Sequence, residues 1–366
     1  MTRGIATYGL LLTLLLGLSW MDWTSPPEVD IGDKVMLVQG ESADLEKIIW
    51  KDEGKEEVVI ERKSDASGAY LWATHTKWEE PKAPKPDPSK PADAATPADP
   101  SKPTDAAAPA DAAATPAATP EPPKPAEKVA KTTVFKAGEA GDKLVDSLSP
   151  MLAVRQLTDV PADKLTAYGL DAPKETVEIV RKGRSRVLEL GGEVYGSKDR
   201  YVRDKESGNI YLVDGELLRP LKFARTRLPD RTLFSLEKDK VATAEVSSGV
   251  GSLKITQKNA EDKEKATWVK SSAPDAVDEQ LKTWMEKALG LKSTAYVAPE
   301  DEPKDLESKF RLTLSGSDGK GETLDVLQSP STGDWYGRSE HTRGLVKLLK
   351  GPTSALSEDV DALTGP

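Results

Sequence analysis

The segment from Pro81 to Lys128 constrains this chain before anything else does. It is dominated by Pro, Ala, Asp, Lys and Thr, runs as an imperfect repeat (PADAATPADPSKPTDAAAPADAAATPAATPEPPKP), and holds no aromatic and no β-branched apolar residue. Such a stretch cannot bury enough apolar surface to offset chain entropy, so it is expected to be disordered or partly polyproline-like. Any core must be built from what lies on either side. One role for the segment is a spacer or an envelope-spanning arm. The other is an inflated surface loop, which costs little because loop entropy grows slowly with length. The second is favoured, because a β pattern resumes directly afterwards at Thr132–Lys136 (TTVFK).

Short β-prone runs precede the segment. Leu45–Asp52 and Glu56–Lys63 flank the turn Glu53-Gly54-Lys55 and form a hairpin pattern, with Ala69–Thr74 as a third strand. Beyond the segment, Asp142–Ser149 sets Leu144, Val145 and Leu148 on one helical face. Pro150 interrupts it, and Met151–Leu157 is expected to continue or restart the helix. A short helical turn from Asp163 to Leu170 follows, capped by Asp159 and Asp163. Two hairpins come next, Thr176–Arg181 with Arg186–Leu190 and Tyr201–Arg203 with Ile210–Val213, then a short helix from Gly215 to Lys222.

The order then recurs. Val241–Val246 and Ser252–Lys258 form a hairpin pattern, and Thr267-Trp268-Val269 takes the place of Leu71-Trp72-Ala73. A helix is expected from Asp275, as N-cap, to Leu291, with Val277, Leu281, Trp284 and Ala288 at helical spacing. Phe310–Ser315 and Thr323–Leu327 make another hairpin, Trp335–Arg338 parallels Tyr201–Arg203, and Leu345–Leu349 is expected to match the helix at Gly215–Lys222. Recurrence of hairpin, Trp strand, helix, hairpin and aromatic strand implies an internal duplication.

At the other end, Arg3 precedes a mostly apolar run from Ile5 to Met21, at the short end of what crosses a bilayer core. Trp20 and Trp23 suit the interface, and Asp22, Glu28, Asp30 and Asp33 follow, an asymmetry that places the N-terminus in the cytoplasm and the body outside. An uncleaved anchor is favoured over a cleaved signal peptide, since Trp20-Met21-Asp22 is poor cleavage context.

The sharpest string is Tyr168-Gly169-Leu170-Asp171-Ala172-Pro173, a corner from helix to strand: Gly169 can take φ > 0 and Pro173 forces Ala172 toward extended backbone. With the N-terminal apolar run, the Trp-bearing strand, the hairpin ending Leu188-Glu189-Leu190-Gly191, the stretch Tyr201–Val213 and an Arg-rich exit at Arg225–Arg231, the chain resembles an uncharacterised bacterial family, the domain of unknown function 4340. The resemblance extends over most of the chain outside the Pro/Ala segment. It implies a membrane-anchored envelope protein, a companion of export-type ABC transporters, including those likened to gliding-motility transporters. It implies no reaction and no cofactor.

The residues themselves point to little chemistry. There is no Cys, which excludes disulfides and thiolate sites. A net charge of −10 argues against a general nucleic-acid binder. His75 and His341 lack metal-type spacing and are expected at the surface, and no nucleophile-elbow or phosphate-loop motif occurs. Asp171 is tempting as a general base, but an Asp in a turn more simply stabilises the turn. The tryptophans at 50, 72, 268, 284 and 335 suit core packing, with Trp78 the one expected to be exposed. Two basic clusters stand out as a candidate dock for a partner or an anion. The first is Arg181, Lys182, Arg184 and Arg186 at a hairpin tip; the second is Arg219, Lys222, Arg225, Arg227 and Arg231.

The expectation is therefore an α+β protein with antiparallel sheets: an anchor at 1–23, a first unit at 24–222 interrupted by the insertion at 81–128, and a related second unit at 223–366. Its expected role is non-enzymatic binding or scaffolding beside a transporter or another assembly of the bacterial inner membrane, with the body in the periplasm. An envelope hydrolase using carboxylates and a structural spacer acting through the Pro/Ala arm are the alternatives.

Overall fold

The computed structural model describes residues 33–79, 128–262 and 265–365. The expected anchor and almost all of the Pro/Ala insertion lie outside the described residues. Among the described residues no helix is long and apolar enough to cross a membrane.

In chain order the strands are β1 (Val35–Val38), β2 (Leu45–Asp52), β3 (Glu56–Asp65), β4 (Gly68–Glu79) and β5 (Val129–Lys136). Helix α1 (Glu139–Leu148) precedes β6 (Met151–Ala153) and β7 (Arg155–Leu157). After α2 (Lys164–Ala167) come β8 (Glu175–Arg181), β9 (Arg184–Glu193), β10 (Asp199–Asp204) and β11 (Ile210–Asp214). Helices α3 (Gly215–Lys222) and α4 (Ala224–Arg227) lead to β12 (Val241–Ser248), β13 (Ser252–Lys258) and β14 (Thr267–Lys270). Helix α5 (Glu279–Leu289), β15 (Ser293–Tyr296), β16 (Glu307–Gly316), β17 (Gly321–Gln328), β18 (Trp335–Ser339), β19 (Val346–Leu348) and α6 (Lys350–Thr364) complete the fold. The protein is α+β and β-rich.

Two large antiparallel sheets dominate. The first has nine strands in the order β5-β4-β3-β2-β8-β9-β10-β11-β7, the second eight in the order β14-β13-β12-β16-β17-β18-β19-β15. β1 and β6 form a small separate pair. Alternation sets the faces: in β2, Ile48 and Trp50 are buried, and in β16, Phe310, Leu312 and Leu314. Apolar side chains of both sheets join in one contiguous buried cluster. In α1 the buried stripe is Leu144, Val145 and Leu148, as its spacing predicts. The corner holds as well. Gly169 has φ +66°, Leu170 is fully buried, and Tyr168 stacks on Tyr201 of β10 at 4.1 Å. The Tyr168 carbonyl accepts from Gly192 N at 2.8 Å, and a Cβ at Gly191 would lie 2.3 Å from that carbonyl oxygen. Glycine is what lets the corner seat on β9.

Five expectations are corrected. Met151–Leu157 is not helix but β6 and β7: Met151 and Ala153 are buried with Leu152 between them less so, a period of two that pairing with β1 and β11 satisfies. Leu345–Leu349 is not helix, because Val346 and Leu348 alternate with Lys347 in β19, which sits between β18 and β15; the helix is α6, just beyond. Helix α5 starts later than expected. Asp278, not Asp275, caps it by accepting from Leu281 N at 2.9 Å, while Asp275 pairs with Lys258 and Val277 is 70% exposed. Asp163 precedes α2 with helical backbone and accepts no capping hydrogen bond, and Asp159 has φ +53°. Neither histidine is a free surface residue: His75 is buried beside Glu56, and His341 is largely buried against Asp230.

A candidate docking cleft between two sheet edges

β5 is an edge strand of the first sheet and β15 an edge strand of the second, and a groove of about 610 Å³ runs between them. Residues 131–135 form one wall and residues 293–298 the other. Lys131, Arg225, Arg231 and Lys347 bring positive charge to the groove, and Asp301 is the acid on its lining. Lys347 pairs with Asp334 at 2.8 Å, and Arg231 donates to the Thr294 carbonyl at 3.1 Å. Lys131 and Arg225 have no ion-pair partner among the described residues.

Between Pro229 and Arg231, which both line the groove, stands Asp230. Its Oδ2 accepts from Lys136 Nζ at 2.8 Å and from His341 Nε2 at 2.7 Å, and its Oδ1 accepts from Thr232 N at 3.0 Å and Thr232 Oγ1 at 2.6 Å. Its backbone is held too: Asp230 N donates to the Lys136 carbonyl at 2.9 Å, and the Asp230 carbonyl accepts from Tyr296 Oη at 3.0 Å. Burial pushes the carboxyl upward, but the hydrogen bonds from His341, Lys136 and Thr232 more than offset it and hold Asp230 far below the usual carboxylate range. Burial, with the Asp230 charge nearby, pushes the Tyr296 phenol up. Aromatic and cationic contacts extend the junction: Trp72 meets Tyr296 edge to face at 6.1 Å, and Arg343 pairs with Asp65 at 3.0 Å while lying over the Tyr70 ring.

The chemistry of this cluster is that of a clasp. Asp230 Oδ2, Thr232 Oγ1 (2.9 Å) and Lys136 Nζ (3.1 Å) all converge on one ring nitrogen, His341 Nε2. A relay needs a base that takes a proton at one ring nitrogen while an acid orients the other. Here a single nitrogen faces every partner, and the charge pair Lys136–Asp230 is complete without it. Among the described residues no group of three or more acids or histidines is arranged to hold a metal.

The structure divides the sequence-predicted basic clusters. Arg181, Lys182 and Arg184 lie at the β8–β9 tip, where Lys182 pairs with Asp44 at 2.7 Å; Arg186 pairs with buried Asp204 at 2.8 Å. Burial raises Asp204, but the hydrogen bonds from Arg186 and Ser207 hold it below its ordinary value. Arg219 and Lys222 sit at the opposite end of β8, lining a pocket with Glu175 and Arg200. Arg219 and Arg227 both lie over Phe223, at 5.9 and 5.5 Å. Only Arg225 and Arg231 reach the inter-sheet groove. Asp171 is exposed in the corner. Trp50, Trp268, Trp284 and Trp335 are buried, and Trp78 is half-buried in β4. Sequence reasoning missed Lys131, Lys136, Asp230, Tyr296 and Lys347. Asp230 alone carried a signal, since it stands inside the Arg-rich exit.

Residues 138–309 match the family model described as Domain of unknown function (DUF4340). The match runs from α1 into β16, narrower than the resemblance suggested. It includes the corner, the Arg-rich exit and Asp230, but not Lys136 or His341. No curated protein and no solved structure matches the chain.

Proposed function

With residues 138–309 matching a domain of unknown function, we propose that this protein is a non-enzymatic, membrane-anchored binding or scaffolding protein. It engages its partner at the cation-lined groove between β5 and β15. The partner is a subunit of an ABC-type transporter or of another envelope assembly, and the body lies in the periplasm, held to the inner membrane by the run Ile5–Met21. The observation that carries the binding reading is the groove itself: two sheet edges face it, and Lys131 and Arg225 there lack acidic partners among the described residues.

A duplicated architecture, with units at 24–222 and 223–366, accompanies this reading. The order β14-β13-β12-β16-β17-β18-β19-β15 corresponds strand for strand to β4-β3-β2-β8-β9-β10-β11-β7, with β5 added at the edge. The helices correspond as well: α1 packs on α3, and α5 on α6. The groove then lies where the two copies meet.

The hydrolase alternative would draw on His341 and Asp230, and their convergence on one ring nitrogen favours the clasp instead. The spacer alternative draws on the Pro/Ala arm, but Glu79 of β4 pairs directly with Val129 of β5, so the arm joins strands that are already neighbours. That favours an inflated hairpin loop.

The test is in vivo crosslinking of the full-length protein followed by mass spectrometry of the captured chains. Capture of transporter or envelope subunits, lost in an Arg225→Glu/Arg231→Glu variant and kept in Arg184→Glu, is the expected result. Capture unaffected by the double change would move the dock elsewhere, and no capture above an anchor-only control would overturn the scaffold reading.

A further inference from the structure

The gap between β5 and β15 is already filled by extended chain at one end. Pro229 forms a β-bridge with Ala137, next to the first sheet, and Thr232 forms one with Lys292, next to the second. Asp230 N donates to the Lys136 carbonyl at 2.9 Å, and Ser293 N donates to the Arg231 carbonyl at 2.8 Å. Residues 229–232 thus behave as a single short strand inserted between two sheets, satisfying an edge on each side.

Further along, no described strand takes up that place. Because Lys136 turns its backbone groups outward, the two-residue alternation of a strand turns those of Val134, Thr132 and Ala130 the same way. Those residues face away from β4, at the outermost position of the sheet. The open stretch from Ala130 to Val134 is about 13 Å long. Unpaired edges of this kind recruit an added strand, with main-chain hydrogen bonds supplying affinity and flanking side chains supplying selectivity. Here the flanking side chains are Lys131, Arg225, Arg231 and Lys347.

We propose that the groove binds an extended, acidic peptide segment of a partner protein as an added strand on β5, continuing the path that residues 229–232 begin. This rests on the proposed docking role of the groove and names its occupant. Carboxylates on the segment meet Lys131 and Arg225, which the protein leaves without acidic partners among the described residues; its amides pair with Ala130, Thr132 and Val134. A proline-rich segment lacks the amides, and a basic one lacks the carboxylates.

The experiment titrates the full-length protein with a fluorescent octapeptide of alternating glutamate and valine, and follows amide hydrogen exchange in the complex. Three comparisons accompany it: the same peptide N-methylated at alternate amides, a lysine–valine octapeptide, and the Thr132→Pro protein. Proline is tolerated at an edge position whose N–H faces outward, so Thr132→Pro blocks the added strand while leaving the fold, checked by its melting temperature, in place. The expected result is binding of the acidic peptide, slowed exchange at Ala130, Thr132 and Val134, and affinity about tenfold weaker or worse on N-methylation or in Thr132→Pro. A second variant, Arg225→Glu, is expected to weaken the acidic peptide and not to weaken the lysine–valine control. Equal binding of the N-methylated peptide, or no change in exchange along β5, overturns the proposal in favour of a plain anion surface. Absence of binding overturns it too. If crosslinking still captures a partner through Arg225 and Arg231 while these outcomes fail, the docking role survives and only the strand-addition reading falls.

Discussion

His341 Nε2 lies 2.7 Å from Asp230 Oδ2, although 111 residues separate them in the chain. Lys136, on the first sheet, reaches the same oxygen at 2.8 Å. Asp230 therefore fastens the two sheets to each other through one carboxylate, and the cost of disturbing it sets the first prediction.

Asp230→Asn is expected to destabilise the protein by about 3 kcal/mol, because it leaves the Lys136 ammonium largely buried without its counter-charge. The pH dependence has a definite sign. The folded state holds Asp230 below its ordinary value, so its contribution is fully present above the unfolded carboxylate pKa and is lost as pH falls from about 4 toward the depressed folded value. Urea denaturation from pH 7 down to pH 3 checks this: the gap between wild type and Asp230→Asn should be widest near neutrality and shrink in acid. A gap independent of pH would mean that the carboxylate charge is not what fastens the junction.

Gly191→Ala should cost more than Gly208→Ala. At Gly208, φ is +73° and a Cβ meets nothing within 4 Å, so the cost is backbone strain of about 1 kcal/mol. At Gly191 a Cβ would lie 2.3 Å from the Tyr168 carbonyl oxygen, which is fixed by its hydrogen bond to Gly192. Overpacking against backbone raises the expected cost to about 2–3 kcal/mol. Melting temperatures of the two variants decide the order, and loss of the Tyr168–Tyr201 stack should accompany the larger drop.

Replacing residues 80–128 by Asn-Gly should stabilise the body. Glu79 and Val129 are direct partners, so a two-residue turn closes the hairpin in its existing register. Shortening the loop about 25-fold lowers the entropic cost of closing it by about 3 kcal/mol. Thermal unfolding measures the gain. Crosslinking of the shortened protein tests the arm separately: retained partner capture agrees with an inflated loop, and loss of capture with a folded body would return the spacer alternative to the front.

Trp284→Phe should loosen the last helix. Trp284 is 1% exposed, and its Nε1 donates to the Leu356 carbonyl at 3.0 Å. Phenylalanine keeps part of the ring but abandons that buried carbonyl, at about 1–3 kcal/mol. Amide exchange should accelerate in α6 more than in β8, and equal acceleration in both would mean that the contact is not local to the helix pair.

Much of the fold was legible because its signals are short-range. Hairpins such as β2–β3 and β8–β9, the buried stripe of α1 and the Gly169 corner are each specified within a dozen or so residues by a period of two, a period of 3.6 or a demand for positive φ. The misreadings at Met151–Leu157 and Leu345–Leu349 fell on brief apolar runs, where the two periods cannot be told apart and the neighbouring strands decide. The candidate site was barely legible. Of the nine basic residues singled out, Arg225 and Arg231 border the groove, while ion pairs with Asp44 and Asp204 and the pocket beside Glu175 absorb others.

What the sequence determined by itself was most of the hairpins, the helices α1, α3 and the body of α5, the corner that turns helix into strand and the absence of any thiol chemistry. Tertiary structure alone decided that β5 and β15 face each other, that residues 229–232 thread between them, and that Lys136 and His341 meet at Asp230 from 94 and 111 residues away. The reason is physical. A strand's own residues dictate which face is buried, but its outer edge offers the same N–H and C=O groups whatever the side chains, so only the docking of the two sheets selects what that edge will meet.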